Sequence, residues 1–419
     1  MSAPPQFSAL APFHVRSFRF QWPADLATSW AFEMETLVLG WYILVETGSV
    51  QMLTLFGALQ FMGTLVSPMF GVAGDRIGHR NLLCIMRAFY ATLAAILMAL
   101  AFAGLLTPVA VFVVVALFGL VRPSDLAMRH ALVAETMPPG LLMGGMGISR
   151  TTGDSARIAG ALAGAGLFAT LGMGPTYVVI VLLYVTSVLL TRQVSHTRAA
   201  HPAAAIGDVP APSSWRDLRE GLAYVRRTPL LLASMGLAFL LNLTAFPLLN
   251  GLQPYVAREI YHTDQTGLGY MVASTAFGAL LGSIVASRLG SAARQGRLML
   301  TACVCWYGLL LVYSHLTHPA AGIPVLMLTG FVQSVGQVTM ATLLLRHSAP
   351  QFRGRVMGIR MLAIYGLPIG LLVSGPLIGR FGYPVTAIAY CLVGLAFTLL
   401  IALRWRAHLW RRDAPVNRG

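Results

Sequence analysis

Twelve stretches of about twenty mostly apolar residues recur along the chain, and they constrain its fold more than any other feature. A helix needs about 20 such residues to cross the hydrocarbon core of a bilayer. Hydrophobic residues make up 57% of the sequence and charged residues only 10%, whereas soluble domains carry about 25% charged residues. The apolar windows are 22–45, 50–72, 82–104, 108–129, 143–170, 174–192, 230–253, 266–288, 298–316, 321–345, 356–378 and 384–404. The sequence therefore predicts an all-α integral membrane protein with twelve transmembrane helices.

The positive charges favour one side of the predicted membrane. All 29 basic residues are arginine, and most of those outside the spans lie at alternating helix ends. Positive residues concentrate in cytoplasmic loops, so this distribution predicts that both termini are cytoplasmic. It also accounts for the net charge of +15 without a nucleic-acid partner.

A polar stretch separates six predicted spans from six more. Its Ala- and Pro-rich first part is typical of a linker, and residues 215–227 predict an amphipathic helix on the inner membrane surface. The predicted parts are an N-terminal bundle at 1–192, a cytoplasmic central loop at 193–229, a C-terminal bundle at 230–404 and a cytoplasmic tail at 405–419. The triplet Met-Gly-Ile begins at both 146 and 357, which favours two pseudo-symmetric bundles of six helices.

Nine charged residues lie inside the first, fourth and fifth predicted spans, where an unpaired charge costs roughly 2.5–3.5 kcal/mol on insertion scales. They are Asp25, Glu33, Glu35, Arg122, Asp125, Arg129, Arg150, Asp154 and Arg157. The three in the fourth span share one helix face, as do the three in the fifth. Two interpretations remain open for these two stripes: a permanent ion-pair network that braces both helices, or polar groups that line a substrate cavity.

The three carboxylates of the first span are candidates for proton coupling. Glu33 and Glu35 are about 200° apart around the helix, so they cannot face the same cavity. Burial disfavours the charged form of a carboxyl group, and coupling requires a group that is neutral in one conformation and ionised in another. We predict this role for Glu33 or Glu35, with Asp25 third. The alternative is permanent pairing with Arg122 or Arg157.

The C-terminal half carries fewer charged candidates and more amide side chains. The substrate-cavity candidates there are Asn242, Asn250, Gln333, Gln337 and Tyr365, beside Arg122, Asp125, Arg150, Asp154 and Arg157 in the N-terminal half. A polar wall that faces a charged one suits an amphiphilic substrate. Hydrogen bonding between helices is the alternative for each Asn or Gln.

The connection between the second and third spans reads GVAGDRIGHR from Gly71 to Arg80. It resembles the G-x-x-x-D-R-x-G-R-R loop that the major facilitator superfamily has at this position, with His79 in place of a usual basic residue. The resemblance implies a cytoplasmic latch that stabilises the outward-open state. The predicted latch residues are Gly71, Asp75, Arg76, Gly78 and Arg80, with Arg129 and Glu135 as partners.

Other segments are similar to one branch of that superfamily. They include LGWY from Leu39, the Pro123-Ser124 pair, and RGRVM from Arg353. The branch contains bacterial drug/proton antiporters and enterobactin-type siderophore exporters. Antiporters of the superfamily often carry Gly-Pro in the fifth helix, whereas this chain has Gly160-Ala161. We predict that Gly160 and Gly164 form a close-packing face instead.

These observations predict a secondary transporter that exports a small amphiphilic molecule, drug-like or siderophore-like, in exchange for protons. A lysophospholipid facilitator without proton coupling is the alternative, and a transport-inactive receptor or scaffold is a further one. The sequence contains no Walker loop, metal-ligand cluster or nucleophile elbow, so we predict neither an enzyme nor a cofactor. The expected partners are the substrate, protons and membrane lipids, for a monomer in the bacterial inner membrane.

Overall fold

The computed structural model describes residues 11–64, 66–138, 140–195, 214–289, 295–349 and 352–406, and these ranges contain helices but no β-strand. The α-helices are α1 (Arg16–Thr47), α2 (Val50–Leu59), α3 (Ser67–Ile77), α4 (His79–Phe102), α5 (Pro108–Thr136), α6 (Leu142–Leu171), α7 (Met173–Arg192), α8 (Ser214–Arg227), α9 (Pro229–Thr244), α10 (Gln253–Tyr255), α11 (Gln265–Leu289), α12 (Gln295–Ser314), α13 (Pro319–Arg346), α14 (Arg353–Leu362), α15 (Gly366–Phe381) and α16 (Tyr383–Arg404).

Twelve spans can be assigned to these helices, with α8 and α10 outside them, which confirms the predicted fold class. Over the described ranges, nine segments are long and apolar enough to cross a bilayer, and α2 with α3 forms a tenth that is bent by 52°. Helices α1 and α6 complete the set. They contain 32 and 30 residues, which is more than the length of about 20 residues that a helix needs to cross a bilayer. Their intramembrane charges lower their mean hydropathy.

Several spans are broken where the backbone cannot continue a regular α-helix. Pro68 lies in the first turn of α3 after the bend, and Pro247 begins a π-helical turn over Pro247–Gly251. Proline lacks the N–H that an uninterrupted helix needs. A 3₁₀ turn over Ala363–Tyr365 separates α14 from α15. The predicted window 50–72 therefore corresponds to two helices rather than one.

The chain forms two compact units that differ from the two halves of the sequence. The first contains residues Met1–Thr47, Leu59–Ala205 and Asp264–Gly269, and the second contains Gly48–Ala58, Ile206–Thr263 and Tyr270–Gly419. The start of α2 thus belongs to the second unit. In the second unit, a Cβ added to Gly375 would overlap Oγ1 of Thr54. Helices α2 and α15 therefore pack closely at this point.

Aromatic side chains form the centre of each unit. In the first, the rings of Phe32, Tyr90, Phe118 and Tyr184 contact one another, with Phe32 and Tyr90 centroids 5.2 Å apart. In the second, Trp306 is buried against Phe246 at 5.1 Å. These clusters hold the helices whose polar residues are described below.

Helix α8 packs on the beginning of α14. The rings of Tyr224 and Phe352 stack at 4.3 Å, and Arg355 donates to Glu220 at 2.9 Å. The predicted surface helix therefore has a protein partner along one side. The linker that we predicted at 201–214 lies outside the described ranges up to residue 213, as does the predicted tail from residue 407 onward.

Candidate functional site

A buried ion pair joins α1 to α4 in the first unit. The guanidinium of Arg87 donates to the carboxylate of Asp25 on one side and to the hydroxyl of Thr191 in α7 on the other. Arg87 is fully buried, and Asp25 is 6% exposed. Because a buried ion pair loses most of its hydration, both charges depend on each other for stabilisation. Asp25 is thus neutralised by a cation from a neighbouring helix.

A second buried pair lies beside the first. Arg129 forms an ion pair with Asp125 one turn earlier in α5, and it donates to Ser29 at 2.7 Å and to the carbonyl of Asp25 at 3.1 Å. Its Nε also lies 3.8 Å from the Asp25 carboxylate. The four charges of Asp25, Arg87, Asp125 and Arg129 sum to zero, so the cluster can remain buried in the membrane.

The position of Arg129 corrects one prediction. We expected Arg129 to bind Glu135 at the cytoplasmic edge, but Arg129 lies in the buried cluster. Glu135 instead contacts Nδ1 of His79 at 2.6 Å. The reason is helical geometry, because Asp125 lies one turn before Arg129 on the same face.

Arg122 faces a different set of groups. It donates to Gln60 at 2.5 Å and to Thr36 at 3.1 Å, and its guanidinium lies 5.0 Å from the centroid of the Phe32 ring. Neutral acceptors and an aromatic face therefore hold this cation. Although Arg122 shares a helix face with Asp125 and Arg129, it takes no part in their ion pairs.

Glu35 is bound by hydroxyl groups rather than by a cation. Tyr184 donates to Oε2 at 2.9 Å, and Tyr177 lies at 3.5 Å from Oε1. Glu35 is 5% exposed and both tyrosines, which belong to α7, are fully buried. A tyrosine hydroxyl can donate to a carboxylate and can also accept from a protonated carboxyl group. Both protonation states of Glu35 can therefore be hydrogen-bonded here.

Glu33 points to another side of α1, towards α6. A Cβ added to Gly160 would lie 2.9 Å from the Cβ of Glu33. A Cβ added to Gly164 would lie 2.9 Å from the Cα of Met34. The predicted close-packing face of α6 is thus confirmed. Glu33 is half-buried, and no ion pair or hydrogen bond to its carboxylate occurs in the ranges that the structure covers.

The charged residues on one face of α6 are at least partly accessible. Arg150 is exposed, whereas Asp154 and Arg157 are half-buried. Within the parts of the chain described above, none of the three forms an ion pair. An ion-pair network bracing α5 and α6, which was one of our two interpretations, is therefore not present. The charges of the α5 stripe are satisfied within α5, by α1 and by Gln60, and among the described residues none of them pairs with the α6 stripe.

The predicted latch segment centres on His79. His79 contacts Glu135, and its Nε2 lies 3.8 Å from Asp75. Gly78 has a φ of 86°, a conformation that favours glycine, and this turn allows α4 to begin beside the end of α3. Arg80 donates to the carbonyl of Val194 at 3.1 Å. Asp75 and Arg76 are exposed, and a Cβ on Gly71 would meet no atom within 4 Å.

The polar candidates of the second unit differ in their surroundings. Gln337 accepts from Arg360 at 3.0 Å. Asn242 donates to the carbonyl of Ala238 in its own helix at 2.8 Å. Gln333 is 8% exposed and Asn250 is exposed, and the Tyr365 hydroxyl is buried. Gln337 thus has a cationic partner, Arg360 of α14.

Three residues of this site in the first unit were not among the predicted ones. Arg87 was not counted among the intramembrane charges, although it is the single charge in the window 82–104 and that isolation was a usable signal. Tyr177 and Tyr184 gave no such signal, because tyrosine is common in membrane helices. Only the packing of α7 against α1 brings them to Glu35. No group of three or more metal-binding side chains occurs in the described residues.

Comparisons with known proteins agree with this architecture. The sequence profile of the Major Facilitator Superfamily matches residues 26–368. No curated protein sequence matches the chain. Among solved structures, a mutant of the nucleoside transporter NupG aligns over 94% of this chain and 100% of its own, with a TM-score of 0.73 and 14% identity.

A second solved structure is also similar in fold. It is a bacterial homologue of the human lysosomal transporter Spinster, in an inward-facing and unoccupied conformation. The alignment covers 97% of this chain and 100% of that one, with a TM-score of 0.69 and 12% identity. At such identities, the two similarities establish the fold and leave the substrate open.

Proposed function

Since the chain belongs to the Major Facilitator Superfamily, we propose that it is a secondary transporter that exports a small amphiphilic molecule in exchange for protons. The single observation that carries the proton coupling is the state of two carboxylates inside α1. Glu35 is bound by tyrosine hydroxyls and Glu33 is without an ion pair in the described chain. Carboxyl groups that are not fixed by a cation can change protonation during a transport cycle.

The contrast with Asp25 supports this assignment. Asp25 is bound by Arg87 and lies close to Arg129, so its charge is balanced by cations inside the buried cluster. Protonation of Asp25 would also leave Arg87 buried without a counter-ion. We therefore assign proton coupling to Glu33 or Glu35 and a structural role to Asp25.

The open charges of α6 support an amphiphilic substrate. Arg150, Asp154 and Arg157 form a stripe on one helix face without ion pairs among the described residues, and Arg122 of α5 is held by neutral groups. Such a stripe can bind the polar part of a substrate, while the apolar surfaces of the helices contact its apolar part. The proposed substrate is drug-like or siderophore-like.

A ligand screen comes first in the test. Thermal shifts of the purified protein would be measured at two pH values with ethidium, enterobactin and lysophosphatidylcholine. A compound that raises the unfolding temperature more at one pH than at the other binds in competition with protons or together with them. That compound then serves as the probe in proteoliposomes.

We expect Glu35→Gln or Glu33→Gln to abolish the response of probe flux to a pH gradient. Glutamine retains the shape of the side chain but cannot ionise, so the coupling site would be lost while exchange down a substrate gradient continues. The measurement is probe flux with and without an imposed gradient, compared with that of protein-free liposomes. If both variants keep the wild-type response, these carboxylates do not couple transport to protons.

The same assay separates the alternatives. Flux of lysophosphatidylcholine that ignores the pH gradient in the wild-type protein would support a lipid facilitator. Binding of a ligand with no flux of any probe would support a receptor or scaffold. The proposed location is the bacterial inner membrane with both termini cytoplasmic, and protease protection of terminal tags would test this orientation.

We further propose that the latch acts through the contact between His79 and Glu135. Glu135→Gln should lower the maximal rate of transport and leave probe affinity unchanged, because this contact is remote from the intramembrane carboxylates. His79→Gln should have the same effect, and the double variant should be no slower than either single variant. Additive losses would show that the two residues act separately.

A further inference from the structure

Arg122 of α5 is a half-buried cation whose hydrogen-bond partners are neutral. Its Nη1 donates to Oε1 of Gln60 at 2.5 Å and to the hydroxyl of Thr36 at 3.1 Å. Over the residues that the structure describes, it forms no ion pair. Arg87 and Arg129 of the same unit are each bound by an aspartate. The charge of Arg122, unlike theirs, is not balanced by a bound acid.

The acids near Arg122 are bound by other groups. Asp125 follows it by three residues on the same helix, but Asp125 pairs with Arg129. The field of Arg122 reaches Glu35 of α1, but the Glu35 carboxylate accepts from Tyr184 of α7 at 2.9 Å. Neither carboxylate is hydrogen-bonded to Arg122 within the described ranges. The guanidinium therefore remains available to an anion from outside the protein.

The donors of this site outnumber its acceptors. Both bonds of Arg122 use Nη1, so its Nε and Nη2 have no partner among the described residues. Gln60 accepts through Oε1 from Arg122, and from the Thr36 hydroxyl at 3.4 Å, so the amide nitrogen of Gln60 is left as a further donor. The fork of an arginine matches two oxygens of a carboxylate or phosphate group. Such an oxyanion would complete the hydrogen bonding of both side chains.

Close backbone contacts place Gln60 beside Arg122. Gln60 lies between the end of α2 and a 3₁₀ turn over Met62–Thr64. A Cβ added to Gly119 of α5 would lie 3.0 Å from the Cα of Gln60, and one added to Gly63 would overlap a backbone carbonyl of α5. Small residues allow this approach, and it occurs about one turn before Arg122. Main-chain packing therefore positions the amide of Gln60, in addition to its hydrogen bond.

The face of α1 that carries Thr36 is polar and half-buried. Ser29, Glu33 and Thr36 follow one another at spacings of four and three residues, so they share this face. The exposed face of α7 is instead apolar and includes Leu182. Charged side chains in membrane spans avoid hydrocarbon and face protein or water. We therefore place the accessible part of Arg122, which is bound to Thr36, towards water rather than lipid.

We infer that Arg122 and Gln60 bind an oxyanion of the substrate, a carboxylate or phosphate group on an otherwise apolar molecule. The inference rests on the proposed transport function and names the class of substrate. The charged residues on the accessible face of α6 are two arginines and one aspartate, a balance that also favours an anion. A cationic group would meet an unbalanced positive charge at Arg122. The polar end of the proposed amphiphile is therefore negatively charged.

The experiment compares two soluble probes that share a ring system and differ in charge. 1-Naphthyl phosphate and 1-naphthylmethylammonium are titrated calorimetrically into the full-length protein in nanodiscs of phosphatidylcholine, a lipid without net charge. Titrations into empty nanodiscs are subtracted. We expect the phosphate probe to bind at least about tenfold more tightly than the ammonium probe, because only the phosphate can accept from the guanidinium. No pH gradient is applied, so the result does not depend on proton coupling.

Two variants separate anion binding from a structural role. Arg122→Gln removes the charge and should weaken binding of the phosphate probe about tenfold to a hundredfold. Gln60→Glu retains the shape of the side chain but gives Arg122 a bound counter-ion, so it should weaken the probe as strongly without lowering the unfolding temperature. A purely structural contact would instead leave probe binding unchanged in Gln60→Glu. Arg19→Gln is the matched control, because Arg19 is exposed near the start of α1, and it should bind the probe as the wild-type protein does.

Competition identifies the source of the anionic group. Lysophosphatidate carries a phosphate on a lipid, and 1-naphthoate carries a carboxylate on a soluble aromatic molecule. Displacement of 1-naphthyl phosphate by lysophosphatidate alone would assign the site to a lipid headgroup. Displacement by both compounds at similar concentrations would assign it to soluble anions. Either result supports the oxyanion site.

Failure of the site and failure of the transport function have different signatures. The oxyanion site is overturned if the wild-type protein does not bind the phosphate probe, or if it binds the ammonium probe at least as tightly. It is also overturned if Arg122→Gln and Gln60→Glu both bind the phosphate probe with wild-type affinity. Probe binding that requires Arg122, without flux of any probe into proteoliposomes, would refute the transport function and leave the site in place.

Discussion

The Arg87→Met variant is expected to unfold at a much lower temperature than the wild-type protein. Methionine fills much of the volume of the arginine but leaves the Asp25 carboxylate buried without its main partner. Removal of one member of a buried ion pair typically costs about 3–5 kcal/mol. Thr191, the second acceptor of Arg87, also loses its donor. The measurement is thermal unfolding in detergent, together with the yield of monodisperse protein.

A double variant distinguishes loss of the ion pair from loss of packing. Asp25→Asn combined with Arg87→Met removes both charges, and it should recover most of the stability that Arg87→Met alone loses. Arg19→Met is the matched control, because Arg19 is exposed and surface changes are usually within about 0.5 kcal/mol. If Arg87→Met unfolds like Arg19→Met, the buried pair does not stabilise the first unit.

The sequence predicted the spans well because bilayer thickness fixes their length and composition. It was less accurate at their ends. The fourth window was placed at 108–129, whereas α5 extends to Thr136. Arg129 and Glu135 indicate by composition that the span ends there. In the structure, Ser29 of α1 binds Arg129 and His79 of α4 binds Glu135, and the helix continues to Thr136. Composition records the charge of a residue, while its partner depends on the packing of distant segments.

In the candidate site too, the partners of charged residues could not be predicted from the sequence. Helical angles alone separated Glu33 from Glu35, and the structure places these two side chains against different helices. The partners of Glu35 could not be predicted, because Tyr184 is 149 residues away along the chain. Arg87 is the single charge in the window 82–104, which marks it as unusual without naming its partner. A partner at Asp25 becomes evident only once α4 packs beside α1.

Helices α11 and α13 of the second unit have their backbones in direct contact. A Cβ on Gly278 would overlap the carbonyl oxygen of Met327, and one on Gly330 would overlap that of Thr275. Backbone atoms cannot move aside as a flexible side chain can. Small residues at such crossings allow membrane helices to approach closely.

Gly278→Val should therefore prevent correct folding of the second unit, and size-exclusion chromatography should show aggregated protein or none. Gly308→Ala is the control, because a Cβ there would meet no atom within 4 Å, and alanine is the better helix former by roughly 1 kcal/mol. We expect probe binding to depend on the same contact, since the proposed cavity residues Gln333 and Gln337 follow Gly330 by about one and two turns of α13. Normal folding of Gly278→Val with unchanged probe binding would mean that this helix crossing does not position the polar side chains of α13.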